Sequence, residues 1–114
     1  MIGSAEVHAG FSGDLELLDK PKRLMLYRIL QECLNNSFKH AHASEINISI
    51  NVQHGEVELL YEDNGQGYAT DQASSGIGLR SIEKRIDYLN GTQRIETSPG
   101  AGMSLFINFP LNLA

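Results

Sequence analysis

The sequence holds a single cysteine, Cys33, and no apolar run near the roughly 18–20 residues needed to span a bilayer. One cysteine excludes an intrachain disulfide and fits a reducing compartment. No basic segment followed by an apolar core opens the chain, so no secretory signal is expected. Cationic residues are the minority, with nine Lys and Arg against 14 Asp and Glu and a net charge of −5. That balance excludes a global pull toward nucleic acid or anionic lipid, so any anionic ligand must be held by local groups. Internal repeats and low-complexity segments are absent. A length of 114 residues excludes a large doubly wound enzyme or an eightfold strand–helix barrel. The 41% of hydrophobic residues is enough for one core and too much for a disordered chain. One domain is expected over 5–114, with Met1-Ile2-Gly3-Ser4 as an appended start.

Periodicity then divides the chain. Val7, Ala9 and Phe11 alternate with Glu6, His8 and Gly10, which predicts a short strand with one buried face. Ser12-Gly13-Asp14 marks a turn, and after Pro21 a helix is expected from about Lys22 to Ala41. Its buried stripe reads Leu26, Leu30, Cys33, Leu34, Ser37 and Ala41. A second, polar ridge reads Glu32, Asn35, Asn36, Lys39 and His40 at the same helical spacing. Ile46, Ile48, Ile50 and Val52 predict one strand, and Val57, Leu59 and Tyr61 a second, joined at His54-Gly55 as an antiparallel hairpin. A further helix carries Leu79, Ile82, Ile86 and Leu89, with Gly91 as its stop. Strands near 93–97 and 104–109 close the chain. The expected fold is α+β, a two-layer sandwich whose mixed, mostly antiparallel sheet carries helices on one face.

Three features bear on chemistry. A solvated helix face is the ordinary reading of a polar ridge, but adjacent asparagines are poor helix formers there. Carboxylate, carboxamide, ammonium and imidazole within two turns suit a magnesium–triphosphate ligand. Asp63-Asn64-Gly65-Gln66-Gly67 reads as a turn, or as a carboxylate presented to an amino-bearing ring. Gly76-Ile77-Gly78-Leu79 reads as a flexible helix entry, or as backbone N–H groups and a helix dipole aimed at phosphate. No Gly-Lys-Ser/Thr follows it, so it is not a P-loop.

In this order the motifs resemble the ATP-binding domain of the sensor histidine kinases, in the superfamily of DNA gyrase, Hsp90 and MutL. LYRILQECLNNSFKHAHA looks like the N box of the nitrate-sensor and thermosensor-like subclass. DNGQG looks like the G1 box, SSGIGLRSIEKRI like the G2 box, and SPGAGMSLFINFP like the closing strand motif. The likeness covers about Glu6 to Pro110 and implies the Bergerat-type ATP-binding fold. It implies Asn36 as the Mg²⁺ ligand and Asp63 as acceptor for the adenine amino group, with Gly65 and Gly67 shaping that pocket. Lys39 and His40 would lie near phosphates or ribose, and Gly76, Ile77, Gly78 and Leu79 on the phosphate side. Residues 68–75 would form a short lid. Glu32, which serves as a base in hydrolysing relatives, is expected to orient water or the acceptor. Catalytic weight therefore falls on Glu32, Asn36 and Lys39. Where the closing motif usually has Gly-Thr, this chain has Gly102-Met103, and Ser104 is the candidate to supply the missing hydroxyl.

The resemblance implies a cytoplasmic enzyme part that uses ATP and Mg²⁺ to phosphorylate a histidine. None of His8, His40, His42 or His54 has the context of that acceptor, which is expected on a separate dimerisation domain. The chain alone is expected to be a monomer, to bind ATP and not to autophosphorylate. Expected partners are that domain and a response regulator of the helix-turn-helix type, with no direct nucleic-acid or membrane contact. Two alternatives stand beside this reading: an anti-sigma-factor-like serine kinase, and a degenerate nucleotide-binding module of the same superfamily.

Overall fold

The computed structural model describes residues 6–39, 42–66 and 79–111. Strand β1 (Glu6–Ser12), a 3-10 turn (Leu15–Leu17), helix α1 (Lys20–Lys39), β2 (Glu45–Gln53) and β3 (Glu56–Asp63) come first. Helix α2 (Leu79–Tyr88), β4 (Thr92–Thr97) and β5 (Met103–Pro110) follow. The strands make one sheet in the order β1-β2-β3-β5-β4. β1 runs parallel to β2, and the other neighbouring pairs are antiparallel. The expected mixed sheet is therefore present. A parallel pair needs a crossover, and α1 supplies it.

Local chemistry sets the element ends. The Asp19 carboxylate accepts the Lys22 N–H at 3.0 Å, so α1 begins ahead of the expected Lys22. Pro21 sits in the first turn, where a missing N–H removes no helical bond. His54 and Gly55 both have positive φ, 53° and 76°, the mirror-image turn whose twist suits a two-residue hairpin. At the end of α2 the Gly91 N–H reaches the Ile86 carbonyl at 2.9 Å and the Asn90 N–H the Asp87 carbonyl at 3.0 Å. The left-handed residue of that stop is Asn90, not Gly91. Gly91 is small for another reason: a Cβ there would stand 2.7 Å from the Asn108 carbonyl oxygen.

The core lies between the sheet and the two helices. Ile46, Ile48, Ile50 and Val52 of β2, Val57, Leu59 and Tyr61 of β3 and Leu105, Ile107 and Phe109 of β5 supply the sheet side. Leu26, Ile29 and Cys33 of α1 and Ile82 and Ile86 of α2 pack onto it, with Leu89 just beyond α2. Fully burying each aliphatic side chain contributes about 1.5–3 kcal/mol. The opposite sheet face is open and mostly polar, and there Arg94 lies over the Phe106 ring at 4.4 Å.

Two readings of the pattern need correction. β1 was expected to bury Val7, Ala9 and Phe11. These residues do continue the core face, in register with Ile46, Ile48 and Ile50. Yet β1 is an edge strand, and Phe11 remains 60% exposed. Leu30 and Leu34 of the expected α1 stripe are only partly buried, while Ile29 and Asn36, on the flank toward α2, are buried. Ala41 lies outside the described residues.

Candidate functional site

The last turns of α1 lie over the end of β3. Asp63, the final residue of β3, pairs with Ile46 of β2 on one side and Met103 of β5 on the other. Its side chain points to the helix-covered face and is 8% exposed. One carboxylate oxygen, Oδ1, accepts the Gly65 N–H at 3.0 Å. The other, Oδ2, accepts the Ser37 hydroxyl at 2.7 Å. An ionised carboxylate has about four acceptor positions, so two bonds leave capacity for a further donor.

Asn64 has a scaffolding part. Its carboxamide oxygen accepts the backbone N–H groups of Ser44 and Glu45, both at 2.9 Å. Its amide donates to the Ser44 hydroxyl at 3.0 Å. These bonds pin the chain leaving β3 to the start of β2. A second tie joins the Gly100 N–H to the Gln66 carbonyl.

The polar ridge of α1 divides in three dimensions. Asn36 is buried, 4% exposed, whereas Asn35 and Lys39 are exposed. Among the described residues the Asn36 carboxamide has no hydrogen-bond partner. Glu32 is half-buried and stands 3.9 Å from Arg85 of α2. Arg85 also donates to the Ser81 hydroxyl at 2.6 Å. A cleft of about 300 Å³ lies here, lined by Arg28, Gln31, Glu32, Asn35 and Arg85. A broader groove of about 520 Å³ on the open sheet face contains none of the site residues.

The electrostatics agree with this clustering. Burial first, then the charges of Glu32 and Asp63, push the Cys33 thiol up from 9.0 to about 12. Cys33 is thereby a neutral packing group at pH 7. Iodoacetamide at pH 8 is expected to leave it unlabelled in the folded protein and to label it in denaturant; rapid native labelling would refute this burial. The sign for stability follows from the raised value. The contribution is complete below pH 9 and is lost as pH rises toward 12, because only the unfolded thiol ionises there. Cys33→Ala is expected to flatten that alkaline decline in an unfolding series against pH.

The structure thus brings Glu32, Asn36, Asp63 and Gly65 into one region, with Lys39 exposed at the helix end. It sets Ser104 apart. Ser104 pairs with Glu62, and its hydroxyl approaches the Glu62 carboxylate at 3.4 Å on the open face, away from Asp63. Met103 is the β5 residue beside Asp63. Ser104 therefore does not replace the expected threonine hydroxyl. His40, Gly67, the lid 68–75, Gly76, Ile77 and Gly78 lie outside the described residues, as does the Leu79 side chain. Sequence reading missed Ser37 and Tyr61 as polar parts of the site, and Arg85 as the cation beside Glu32. The signals were a serine in an apolar helix stripe and an inward-facing tyrosine two residues before Asp63.

The chain matches the family described as "Histidine kinase-, DNA gyrase B-, and HSP90-like ATPase" over residues 22–113. It belongs to that family. It is 30% identical over 117 residues to the signal transduction histidine-protein kinase/phosphatase DegS of Bacillus subtilis, covering 97% of this chain and 30% of that protein. It is 38% identical over 97 residues to the sensor histidine kinase ComP of Bacillus subtilis, covering 82% of this chain and 13% of ComP. The chain thus spans under a third of the length of these relatives. The fold matches the blue-light activated histidine kinase of Erythrobacter litoralis EL346 with a TM-score of 0.80 at 20% identity, over 96% of this chain and 36% of that one. It also matches the ATP binding domain of PrrB from Mycobacterium tuberculosis with a TM-score of 0.67 at 24% identity, over 78% of this chain and 68% of that one. Among the described residues no helix is long and apolar enough to cross a membrane.

Proposed function

We propose that this chain is the ATP-binding catalytic domain of a cytoplasmic two-component sensor histidine kinase part. It donates the γ-phosphoryl group of ATP to a histidine on a dimerisation domain. A response regulator, of the helix-turn-helix output type, then receives the phosphoryl group. The observation that carries the reading is the buried Asp63 carboxylate, held by the Ser37 hydroxyl of α1 and the Gly65 N–H in a chain of this family. The sensor-kinase names of the relatives favour it over a serine kinase or a degenerate module.

Asp63 accepts the adenine amino group, which is a charge-assisted hydrogen bond. Mg²⁺ fits the donors present: Asn36 offers a hard oxygen, and a magnesium ion needs few protein ligands when phosphates and water complete its shell. Among the described residues no group of three or more His, Cys, Asp or Glu stands together. When bound, Mg²⁺ supplies charge neutralisation at the phosphates. Lys39 adds a cationic donor at the exposed end of α1, and on the family pattern His40 and the backbone N–H groups of Gly76, Ile77, Gly78 and Leu79 serve the phosphates or ribose. Glu32, held toward Arg85, orients the acceptor rather than removing a proton from it. The imidazole nitrogen attacks the γ-phosphorus in line as the bond to the bridging oxygen breaks, and ADP leaves with that electron pair.

Calorimetric titration with ATP, with and without Mg²⁺, tests this. One-to-one binding strengthened by Mg²⁺ is expected. Asp63→Asn replaces an acceptor facing the amino group with a mixed carboxamide, and affinity is expected to fall about 10- to 100-fold. Unchanged affinity in that variant would overturn the adenine role.

A further inference from the structure

Three buried polar groups form a line through the core toward the site. Ser37 and Tyr61 are both fully buried. The Ser37 hydroxyl donates to Asp63 Oδ2 at 2.7 Å. Its oxygen also lies 2.7 Å from the Tyr61 hydroxyl. A serine has one hydroxyl proton, and it is already directed at Asp63. The Tyr61 hydroxyl must therefore donate to Ser37. The order Tyr61 O–H to Ser37 O–H to Asp63 carboxylate is fixed by proton counting. Tyr61 and Asp63 lie two apart on the inward face of β3, and Ser37 hangs over them from α1.

From this we propose that Ser37 and Tyr61 are positioning residues that aim the Asp63 carboxylate at a 6-amino purine and so determine base specificity. The inference rests on the reading of Asp63 given above. Ser37 anchors Oδ2 from the core side, while the Gly65 N–H holds Oδ1. The carboxylate plane is thereby set before a ligand arrives, and the free lone pairs of Asp63 point away from the two donors. Polarisation along the chain strengthens each bond in a buried setting. Burial of this kind is unfavourable unless every polar group is paired. An alanine at 37 and a phenylalanine at 61 would pack the same space without that demand. The hydroxyl that a threonine at position 103 would supply is absent, and the described hydroxyl on Asp63 comes from the helix side instead.

The test compares two nucleotides by titration: ATP, and purine riboside triphosphate, which lacks the 6-amino group. Ser37→Ala is expected to lower ATP affinity about tenfold, the loss of one hydrogen bond to a charged group, and to change the analogue less than twofold. Tyr61→Phe is expected to give a smaller shift of the same selective kind, about threefold. Ser37→Thr keeps the hydroxyl and is expected to restore ATP affinity to within threefold of the parent chain. Circular dichroism melting checks that each variant folds; if the threonine is too large for its site, the Tyr61→Phe pair of affinities carries the comparison. An equal fall for both nucleotides would reduce Ser37 and Tyr61 to packing and overturn the proposal. So would unchanged ATP affinity in Ser37→Ala and Tyr61→Phe while Asp63→Asn loses it. If Asp63→Asn itself binds ATP normally, the adenine reading fails first and the proposal with it.

Discussion

Gly102→Ala is expected to lower the thermal midpoint by about 12 °C or more, from a loss of about 3 kcal/mol. Gly102 has φ +73, a backbone conformation in which a Cβ meets the following carbonyl. Conformation is the smaller part of the effect. A Cβ at 102 would stand 2.3 Å from the Asp63 carbonyl oxygen and 3.3 Å from the Asn64 Cα. Both are backbone, so no side chain can swing aside. β5 would have to draw away from β3 where Met103 pairs with Asp63, and the Thr97 hydroxyl bond to the Gly102 carbonyl, 2.8 Å, would be disturbed with it. Gly100 supplies the control. It has φ +80 but open space around its Cβ position, so alanine there carries the conformational part alone, about 1–2 kcal/mol. Differential scanning calorimetry of the two variants separates close approach from conformation. Equal losses would show that β3 and β5 can part freely at this end. ATP affinity is expected to fall in Gly102→Ala and to hold in Gly100→Ala, because only the first moves Asp63.

Sequence periodicity made most of this architecture readable. The alternation in β2 and β3 named the inward residues correctly, because both strands lie within the sheet and one face meets the helices. Ile82, Ile86 and Leu89 were readable for the same reason. Alternation in β1 was equally clear, yet the expectation of burial failed. A period of two says that a strand has two faces, and only neighbours decide whether either is covered. β1 lies at the sheet edge, so Val7 and Phe11 stay in solvent. The helix shows a related limit. Asn36 and Lys39 share one ridge by angle, but α2 packs against one flank of α1, and a difference of one turn separates a buried carboxamide from an exposed ammonium. Asp63 and Gly65 were legible from local motif chemistry. The Tyr61–Ser37–Asp63 line was not, since it joins residues 24 and 26 positions apart and exists only after the helix docks on the sheet. Ser104 failed for the converse reason. It adjoins Met103 in sequence, and adjacency along a strand places side chains on opposite faces.

Asn36→Ala should separate function from stability, with the two effects opposite in sign. The Asn36 carboxamide makes no hydrogen bond to a described residue and is not among the fully buried unpaired groups, so the fold gains little from it. Alanine removes it, and alanine is also the better helix former by about 0.6 kcal/mol. The variant is therefore expected to melt at the same temperature as the parent chain or a few degrees higher. Its ATP affinity in Mg²⁺ is expected to drop to the metal-free level, since the proposed oxygen ligand is gone. Phosphorylation of an added histidine-bearing domain is expected to fall about a hundredfold or more, as charge neutralisation at the phosphates is lost. A buried polar group that stabilises nothing in the fold but is indispensable to the ligand is the arrangement expected where activity and stability trade against each other. Melting and metal-dependent titration of one variant decide the matter together. A lower midpoint with the Mg²⁺ effect intact would make Asn36 a structural residue of α1. A retained midpoint with the Mg²⁺ effect abolished would identify its carboxamide as the metal ligand.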